Sequence, residues 1–583
     1  MSDGRDSSDK RGKEEYFFRA TAADFKRIQG LPLAYWLSSA EIRLFEQPKI
    51  SEHGQVGVGL QTGDNARFIR YWFEVNRSET SLTGENNDPS YKWYRCNKGG
   101  DYRKWFGNGL EVILWANKGA ALKANVPSAV IRNEGLYFRP CVTWSRITSG
   151  SISFRYIQGG FIHNDASCFV VGNSHQENIN LLAYLNSPLR SVVLESINPT
   201  FNLLPGQVNE TPYLSAKVAG VDRLIDVARA DWDSLETSWS FVKLPLIDGS
   251  LHKGSVMASY RDLRSRWRDL TLEMQRLEQE NNRLFIDAYE LHDELSPDVP
   301  LSEITLTCNP HYRYGGDKTE EELEAMLLAD TMRELVSYAV GCMLGRYSLD
   351  KPGLILANLG ETLADYLEQH RLAQVPQPRF PADDDNVIPM LDGDWFADDI
   401  TLRFRQFLRV AFGDEHYEGN LAFIEQALNL KGKRNYSLRD YFLGEFYADH
   451  VKRYKKRPIY WLFSSPKGSF NALIYMHRYR PDTVSVVLRY LRDFRKKVAD
   501  EKDRQASASI NPAVSQGDRT RALKETDRLS KVLAELDDYE RDVIYPLATQ
   551  QIEIDLDDGV KVNYLKFGSA LKKIVGLEAK DED

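Results

Sequence analysis

Two short stretches of the 583-residue chain interleave basic side chains with aromatic or amide groups, a combination suited to nucleic acid. In the first, a glycine-bounded loop, the candidate contacts are Arg95, Lys98, Arg103, Lys104, Trp105 and Asn108. Arginine and asparagine can hydrogen-bond base edges, and all of the basic side chains can bind phosphate. The second stretch is the run 452–457, whose basic residues are Lys452, Arg453, Lys455, Lys456 and Arg457. It suits phosphate better than bases, and a solvated charged surface would produce the same two patterns.

The charge of the chain is very unevenly distributed. With 75 Lys and Arg against 84 Asp and Glu, the net charge is −9, which is not typical of a nucleic-acid-binding protein. Residues 431–500, however, hold 17 basic and 6 acidic side chains, so this segment carries +11 and the remainder −20. Because a phosphate-binding footprint needs only a local basic patch, the composition leaves DNA binding open.

No stretch of the sequence carries a complete catalytic or metal-binding motif. Residues 198–201, Asn-Pro-Thr-Phe, approach the Asn-Pro-Pro-Phe of amino-methyltransferases, but Thr200 replaces the second proline and no glycine-rich cofactor loop precedes them. The GxGxxxG run at 57–63 has neither dinucleotide-binding nor P-loop spacing. The seven aspartates within 383–399 lack EF-hand spacing, and the ten histidines form no zinc-hydrolase pair. We therefore expect no catalytic residue, no metal and no cofactor in this chain.

The remaining composition indicates a cytoplasmic protein. The five cysteines lie far apart without a CxxC pair, which predicts reduced thiols. No apolar run approaches the ~20 residues that a membrane-spanning helix needs, and the polar start does not resemble a signal peptide. We expect no membrane partner.

Changes in composition divide the chain into segments. A polar, disordered lead is expected over 1–15. Residues 51–245 combine Gly- and Asn-rich turns with short alternating runs, which predicts a loop-rich mixed α/β domain. Residues 250–300 carry a heptad seam typical of a long helical spacer, formed by Leu263, Trp267, Leu270, Met274, Leu277, Asn281 and Leu284. Residues 301–500 are predicted to be a mainly α-helical carboxy-terminal region that contains the basic patch.

The last segment, 501–583, is predicted to contain a mobile linker, a charged helix, a β-hairpin and a tail. The linker prediction rests on the polar, Ser- and Ala-rich run 502–518. The hairpin prediction rests on two alternating apolar runs, 552–556 and 560–564, on either side of Asp558-Gly559.

Several longer motifs carry a family resemblance. They lie at 59–65 (GLQTGDN), 67–68 (RF), 102–108 (YRKWFGN), 132–135 (RNEG), 143–150 (TWSRITSG), 281–287 (NNRLFID), 341–347 (GCMLGRY), 447–467 and 556–564 (LDDGVKVNY). Through these motifs the chain, from about residue 16 to about residue 570, resembles the carboxy-terminal half of the PglX family. These proteins are the adenine-specific DNA methyltransferases of type 1 BREX phage-defence systems.

The resemblance implies a methyltransferase domain, a target-recognition domain, a helical spacer and a helical carboxy-terminal region, in that order. It implies that residues 16–50 are the exit segment of a methyltransferase domain missing from this chain, and that 51–245 are the target-recognition domain. S-adenosylmethionine is implied as the cofactor of the full enzyme, whose catalytic half would be supplied in trans or deleted. Since no position here matches the family's catalytic motif, we expect the chain alone to be inactive.

We therefore expect a multidomain α+β protein that provides DNA target recognition to a site-specific adenine-N6 methyltransferase in anti-phage defence, with double-stranded DNA as its partner. Polar side chains within the shared motifs are also expected to contact DNA: Gln61, Thr62, Asn65, Arg67, Ser145 and Arg146. The alternative is a protein-interaction scaffold that binds other BREX proteins without recognising a DNA sequence itself.

Overall fold

The structure is a computed structural model. It describes residues 37–81, 90–148, 150–197, 202–216, 218–249, 254–375 and 377–578. The predicted lead 1–15, most of the predicted segment 16–50 and the tetrapeptide 198–201 lie outside these ranges. Over the described residues the chain is a mixed α+β protein, as predicted, with most of its strands before residue 175 and helices dominating the remainder.

The strands are short, and most of them precede the first long helix. They are β1 (Gly54–Val58), β2 (Ile69–Tyr71), β3 (Thr80–Ser81), β4 (Trp93–Asn97), β5 (Glu111–Leu114), β6 (Cys141–Ser145), β7 (Arg155–Ile157), β8 (Ile162–His163), β9 (Ser167–Gly172), β10 (Ile388–Pro389), β11 (Tyr460–Ser464) and β12 (Asn471–Tyr475).

The longest helices all lie after residue 255. They are α1 (Ser39–Leu44), α2 (Ile50–His53), α3 (Asn65–Phe68), α4 (Ala116–Lys123), α5 (His175–Leu185), α6 (Leu189–Ile197), α7 (Pro205–Asn209), α8 (Val221–Asp233), α9 (Val256–Ala288), α10 (Pro310–Tyr314), α11 (Glu320–Met343), α12 (Leu363–Leu372), α13 (Ile400–Phe412), α14 (Tyr417–Leu428), α15 (Leu438–Tyr441), α16 (Tyr447–Arg453), α17 (Thr483–Ile510), α18 (Gln516–Tyr539), α19 (Tyr545–Gln550) and α20 (Gly559–Leu565). A π-helical turn joins α15 to α16, and another joins α18 to α19.

The strands form three sheets. An antiparallel sheet has the order β1-β9-β6-β7, and the carboxy-terminal region contributes the antiparallel order β10-β12-β11. The third sheet has the order β2-β5-β4-β3, with β8 pairing further along β4. Both β3 and β8 run parallel to β4, whereas β5 runs antiparallel to it.

The predicted spacer is a single helix of 33 residues, α9. Ser255 caps its amino terminus by accepting a hydrogen bond from the Ala258 N–H. Of its seam residues, Leu263 joins a core shared with the carboxy-terminal region, while Met274 joins the core of the preceding domain. The heptad pattern therefore serves packing within the chain along successive parts of one helix.

The amino-terminal strands and the carboxy-terminal helices share one core. Trp72, Phe73 and Trp93 belong to the same buried cluster as Trp461 and Tyr564. Because large aromatic side chains bury the most apolar surface, this shared cluster fixes the position of the third sheet against the last helices.

The predicted terminal β-hairpin is wrong. Residues Leu556–Asp558 form a 3₁₀ turn that Asp555 caps, and α20 follows directly. Leu556, Val560 and Tyr564 are buried, whereas Val562 is exposed. These three buried residues are spaced four apart, which is close to one helical turn. The apolar pattern that predicted a strand, with its period of two residues, is therefore also compatible with a helix.

The predicted mobile linker 502–518 is also wrong over most of its length. Helix α17 continues to Ile510 and α18 begins at Gln516, so only 511–515 are non-helical. The run begins with Lys-Asp-Arg-Gln-Ala, mostly good helix formers, and Gln505 donates to Glu501 one turn earlier (2.7 Å). Within the predicted helical region 301–500, the β11–β12 hairpin is an addition that the sequence reasoning missed.

Candidate nucleic-acid interface

A groove of about 970 Å³ lies where α16, the β11–β12 hairpin and residues 572–575 meet. Its lining includes the apolar side chains of Tyr447, Val451 and Leu462 and one acidic residue, Asp392. Six lysines, all exposed, also line it: Lys452, Lys455, Lys456, Lys467, Lys572 and Lys573. This surface, which we call the lysine groove, concentrates positive charge from three separate parts of the sequence.

Lys455 and Lys456 project from a tight turn that ends α16. Both have a left-handed backbone, with φ of 51° and 61°, which costs a non-glycine residue about 1 kcal/mol or more. The Lys455 N–H donates to the Lys452 carbonyl (3.1 Å), and the preceding Tyr454 is fully buried. The Tyr454 ring packs edge-on against Phe73, with ring centroids 4.8 Å apart. The buried tyrosine thus anchors the turn while both lysine side chains face solvent.

The two arginines of the predicted run 452–457 point inward instead. The Nε of Arg453 lies 3.3 Å from Glu236 Oε1, and the Nε of Arg457 lies 3.9 Å from Glu74 Oε1. Their side chains are only 19% and 15% exposed. The run therefore divides into three exposed lysines, of which Lys455 lies 3.5 Å from the exposed carboxylate of Asp101, and two arginines that join the carboxy-terminal region to earlier segments.

A second cavity, of about 250 Å³, adjoins the lysine groove, and Tyr71 lines both. It brings together three residues predicted to contact DNA, Asn65, Lys98 and Arg457. Basic and acidic groups alternate around it: Arg70, Lys98, Arg457 and Lys561 against Glu74, Glu111 and Asp558. Burial raises the pKa of Glu111, which shifts that carboxyl toward its neutral form.

Direct hydrogen bonds hold the two halves of this surface together. Arg70 Nε donates to the Asp557 carbonyl (3.0 Å), and Trp93 Nε1 donates to Asp557 Oδ1 (2.7 Å). The Val560 N–H donates to Glu74 Oε1 (2.9 Å). The start of α20 therefore docks on the third sheet, placing the amino-terminal candidates beside the lysine groove.

The motif 59–65 forms the turn that leads into α3. Gln61 is exposed and pairs through its backbone with Val130, while Thr62 is buried and donates from Oγ1 to Asn65 Oδ1 (2.8 Å). Arg67 is exposed, with its guanidinium 4.8 Å from the Phe68 ring centroid. Gln61, Asn65 and Arg67 thus have some surface exposure, whereas Thr62 shapes the turn.

The centre of the motif 102–108 is buried, contrary to our expectation of a surface loop. Arg103 donates to Asp231 Oδ2 (2.5 Å), and Lys104 forms an ion pair with Glu278. Trp105 Nε1 donates to the other oxygen of Glu278 (2.8 Å). These three side chains therefore fix the loop to α8 and α9 and present no surface to a ligand.

The other predicted contacts are divided between buried and half-buried side chains. Arg95 is 5% exposed, and Ser145 is buried with its Oγ donating to the Gly100 carbonyl (2.9 Å). Asn108 is half-buried and donates to the Asp101 carbonyl (2.9 Å), and Arg146 is half-buried. Lys467, Lys572 and Lys573 were missed, because their sequence neighbourhoods carry no dense basic run.

Neither a metal-ligand cluster nor a membrane-spanning helix is present among the described residues. No group of three or more His, Cys, Asp or Glu side chains there is arranged to hold a metal ion. In the Asp-rich loop, Asp385 pairs with Arg489 (2.8 Å), and Asp399 caps α13. Within the same ranges, no helix combines the length and apolar character needed to cross a membrane.

Comparison with known proteins finds relatives of this chain. The "Adenine-specific methyltransferase BrxX" of Escherichia coli O9:H4 (strain HS) is 36% identical to this chain over 572 residues, 95% of the chain. The "Adenine-specific methyltransferase PglX" of Lacticaseibacillus casei (strain Zhang) is 32% identical over 586 residues, 97% of the chain. The chain spans about half the length of each relative, 46% in both cases, and no protein-family model matches it. The predicted resemblance is therefore confirmed: over nearly its whole length the chain is related to the adenine-specific methyltransferases of BREX systems.

Proposed function

We propose that this chain is the DNA-recognition and scaffold portion of a BREX-type, site-specific adenine-N6 DNA methyltransferase in anti-phage defence. The observation that carries the proposal is the lysine groove, where six exposed lysines from three parts of the sequence face one another with a single aspartate. Double-stranded DNA is the proposed ligand, since its phosphates match this charge and the two relatives are adenine-specific methyltransferases by name.

In this proposal the groove holds the phosphate backbone and the amino-terminal domain approaches the bases. Each lysine that neutralises a phosphate adds about 0.9 to the slope of log affinity against log salt. Asn65 and Lys98 line the cavity that adjoins the groove, and Gln61 and Arg67 are exposed in the same part of the chain as Asn65; these four are the proposed amino-terminal contacts. Arg103, Lys104 and Trp105 support the loop from within.

The methyl donor, S-adenosylmethionine, is proposed to be held by a catalytic half outside this chain. The glycine-rich run 57–63 does not fit that group. A Cβ at Gly59 would lie 2.2 Å from the His163 carbonyl oxygen, and one at Gly63 would lie 2.5 Å from the Ser128 backbone. Gly59 and Gly63 are thus required by neighbouring backbone, so at these two positions the run packs against protein and does not form a ligand cradle.

The proposal is tested by mobility shift of duplex DNA at several salt concentrations. We expect the variant K452A/K455A/K456A to bind more weakly and to lose about 2.7 from the salt slope, if each lysine contacts one phosphate. The matched control K496A/K524A/K531A removes three exposed lysines from α17 and α18 and should change neither quantity. Equal losses in both triple variants would refute a specific role for the groove.

A second measurement tests the link to methylation. The chain is mixed with a catalytic half, S-adenosylmethionine and plasmid DNA, and N6-methyladenine is mapped along the DNA. We expect site-specific methylation only when both polypeptides are present. Salt-dependent DNA binding without restored methylation would leave DNA binding intact and contradict the methyltransferase role.

One feature favours the alternative, a protein-interaction scaffold. Helices α17 and α18 pair as an antiparallel arm, and near its tip Ile510 is 80% exposed and Leu523 55% exposed. A contiguous apolar patch at this tip would be a contact surface for another protein. Association with other defence proteins that is insensitive to salt, together with no DNA shift, would favour this function over the first.

A further inference from the structure

A small cavity of about 120 Å³ lies in the amino-terminal domain, separate from the lysine groove. Its walls come from β4, β6, β7, the loop 106–109 and α8. Five aromatic side chains line it: Phe106, Tyr156, Phe161, Trp232 and Trp239. An apolar cavity of about 150 Å³ holds one benzene molecule, so this smaller cavity admits part of a planar ring and leaves the rest at its entrance.

One wall of the cavity includes a buried arginine that lacks one hydrogen bond. Arg95 is 95% buried, and its Nη2 donates to the Gly159 carbonyl (3.0 Å). Its Nε has no hydrogen-bond partner among the described residues. The guanidinium carbon lies 4.7 Å from the ring centroid of Phe161 and 5.5 Å from that of Trp239. Because a buried unpaired donor destabilises the fold, an acceptor supplied by a ligand would be stabilising here.

Two further residues supply polar groups of complementary character. Asp233 lines the cavity and accepts a hydrogen bond from Ser238 (2.7 Å), and burial raises the pKa of its carboxyl. Arg229 lines it as well, with its guanidinium 5.0 Å from the Phe106 ring centroid. A ligand would therefore meet aromatic faces, an arginine donor and a carboxylate acceptor. A phosphate or a sugar lacks the flat ring, and a lipid chain lacks the polar edge.

We propose that this cavity binds a single nucleobase. The base stacks on the aromatic walls, and a small shift of Arg95 brings its free N–H to the acceptor atoms at the edge of the base. Gln158 and Ser240, both exposed, mark the entrance. The inference rests on the proposed function for one source of the base, an unstacked nucleotide of bound DNA; a free nucleotide is the other source.

The test uses 2-aminopurine, whose fluorescence falls when it stacks on an aromatic ring. Three probes separate the sources: free 2-aminopurine deoxyriboside, a duplex with one bulged 2-aminopurine, and the same duplex fully paired. Ser240→Phe and Gln158→Phe place a ring at the entrance, and Ser51→Phe, at an exposed residue of α2, is the matched control. Thermal unfolding of each variant shows that the fold is retained.

We expect the wild-type chain and Ser51→Phe to quench the bulged probe, and the free nucleoside at higher concentration. Since stacking on an aromatic residue contributes strongly to the binding of each base, both entrance variants should bind the bulged probe about 5- to 100-fold more weakly. Binding of the paired duplex should not change. Quenching of the free nucleoside alone, lost in the entrance variants, would support the cavity and assign it to free nucleotides.

Two outcomes would overturn the inference: unchanged quenching in both entrance variants, or no quenching of any probe by a wild-type chain that shifts duplex DNA. The second outcome leaves the proposed DNA binding intact. Conversely, a chain that quenches the free nucleoside but shifts no duplex at low salt contradicts the proposed function and supports the cavity, so the two failures are distinguishable.

Discussion

Replacing Lys104 with methionine should destabilise the protein without weakening its binding to DNA. The Lys104 and Glu278 side chains are 7% and 3% exposed, and they form an ion pair between the loop 102–108 and α9. Methionine keeps most of the lysine volume, so the main effect is a buried carboxylate without its cation. Breaking a buried pair in this way costs about 3–5 kcal/mol.

The expected loss lies near the lower end of that range. Trp105 Nε1 still donates to Glu278 (2.8 Å), and burial raises the pKa of Glu278, which eases its protonation once the lysine is gone. We therefore expect Lys104→Met to lower the free energy of unfolding by about 3 kcal/mol. In K104M/E278Q no charge is buried, and the loss should shrink to about 1 kcal/mol.

The assay is urea unfolding followed by tryptophan fluorescence, with mobility shift of duplex DNA measured on the same samples. Lys496→Met, at an exposed residue of α17, is the matched control and should alter neither quantity. An unchanged unfolding midpoint combined with weaker DNA binding would refute the structural role of Lys104. A double variant as unstable as the single one would refute the argument from the buried charge.

Three further changes test other parts of the fold. Gly559→Ala should lower the free energy of unfolding, measured in urea, by about 1–3 kcal/mol, because φ is +75° and the new Cβ would lie 2.7 Å from Arg70 Nε. The control Gly206→Ala, which has open space around it, should be nearly neutral. Equal effects of the two substitutions would contradict the packing argument. Burial lowers the pKa of His163 and His477 to about 3, so between pH 6.5 and 3 the unfolded chain binds more protons than the folded chain. The free energy of unfolding should therefore fall from pH 7 to pH 5, by up to about 1.4 kcal/mol per pH unit for each histidine, and the urea midpoint should fall with it. A urea midpoint that does not change with pH would argue against neutral burial. All five cysteines are buried and free, so a thiol reagent should label the native chain far more slowly than the urea-unfolded chain, and rapid native labelling would show the burial to be wrong.

The long helices could be predicted because their apolar spacing fits a helix and not a strand. The seam from Leu263 to Leu284 fits a helix and no strand, and α9 spans it. The apolar pattern at 556–564 fits both a strand and a helix, since residues two apart and residues four apart are both apolar. A contact from outside this segment favours the helix: the Glu74 carboxylate, in the turn after β2, accepts the Val560 N–H at the start of α20.

The candidate site was predictable in its composition and not in its geometry. Lys104 and Lys455 look alike in the sequence, as basic residues beside an aromatic one. The partner of Lys104, however, lies 174 residues away on α9, whereas Lys455 ends α16 and remains exposed. Likewise, nothing local to Lys572 or Lys573 indicates that they face Lys452, because the fold brings these segments together.

The docking of α20 on the third sheet also has a consequence for the synthesis of the protein. Trp93 and its partner Asp557 are 464 residues apart. At the 5–20 residues per second of translation, that interval takes roughly 20–90 s. Throughout this time the aromatic edge of the third sheet has emerged from the ribosome, yet the helix that covers it has not been made. We therefore expect nascent chains to depend on a chaperone, or on early contacts with α11 and α13, until the last helices are released.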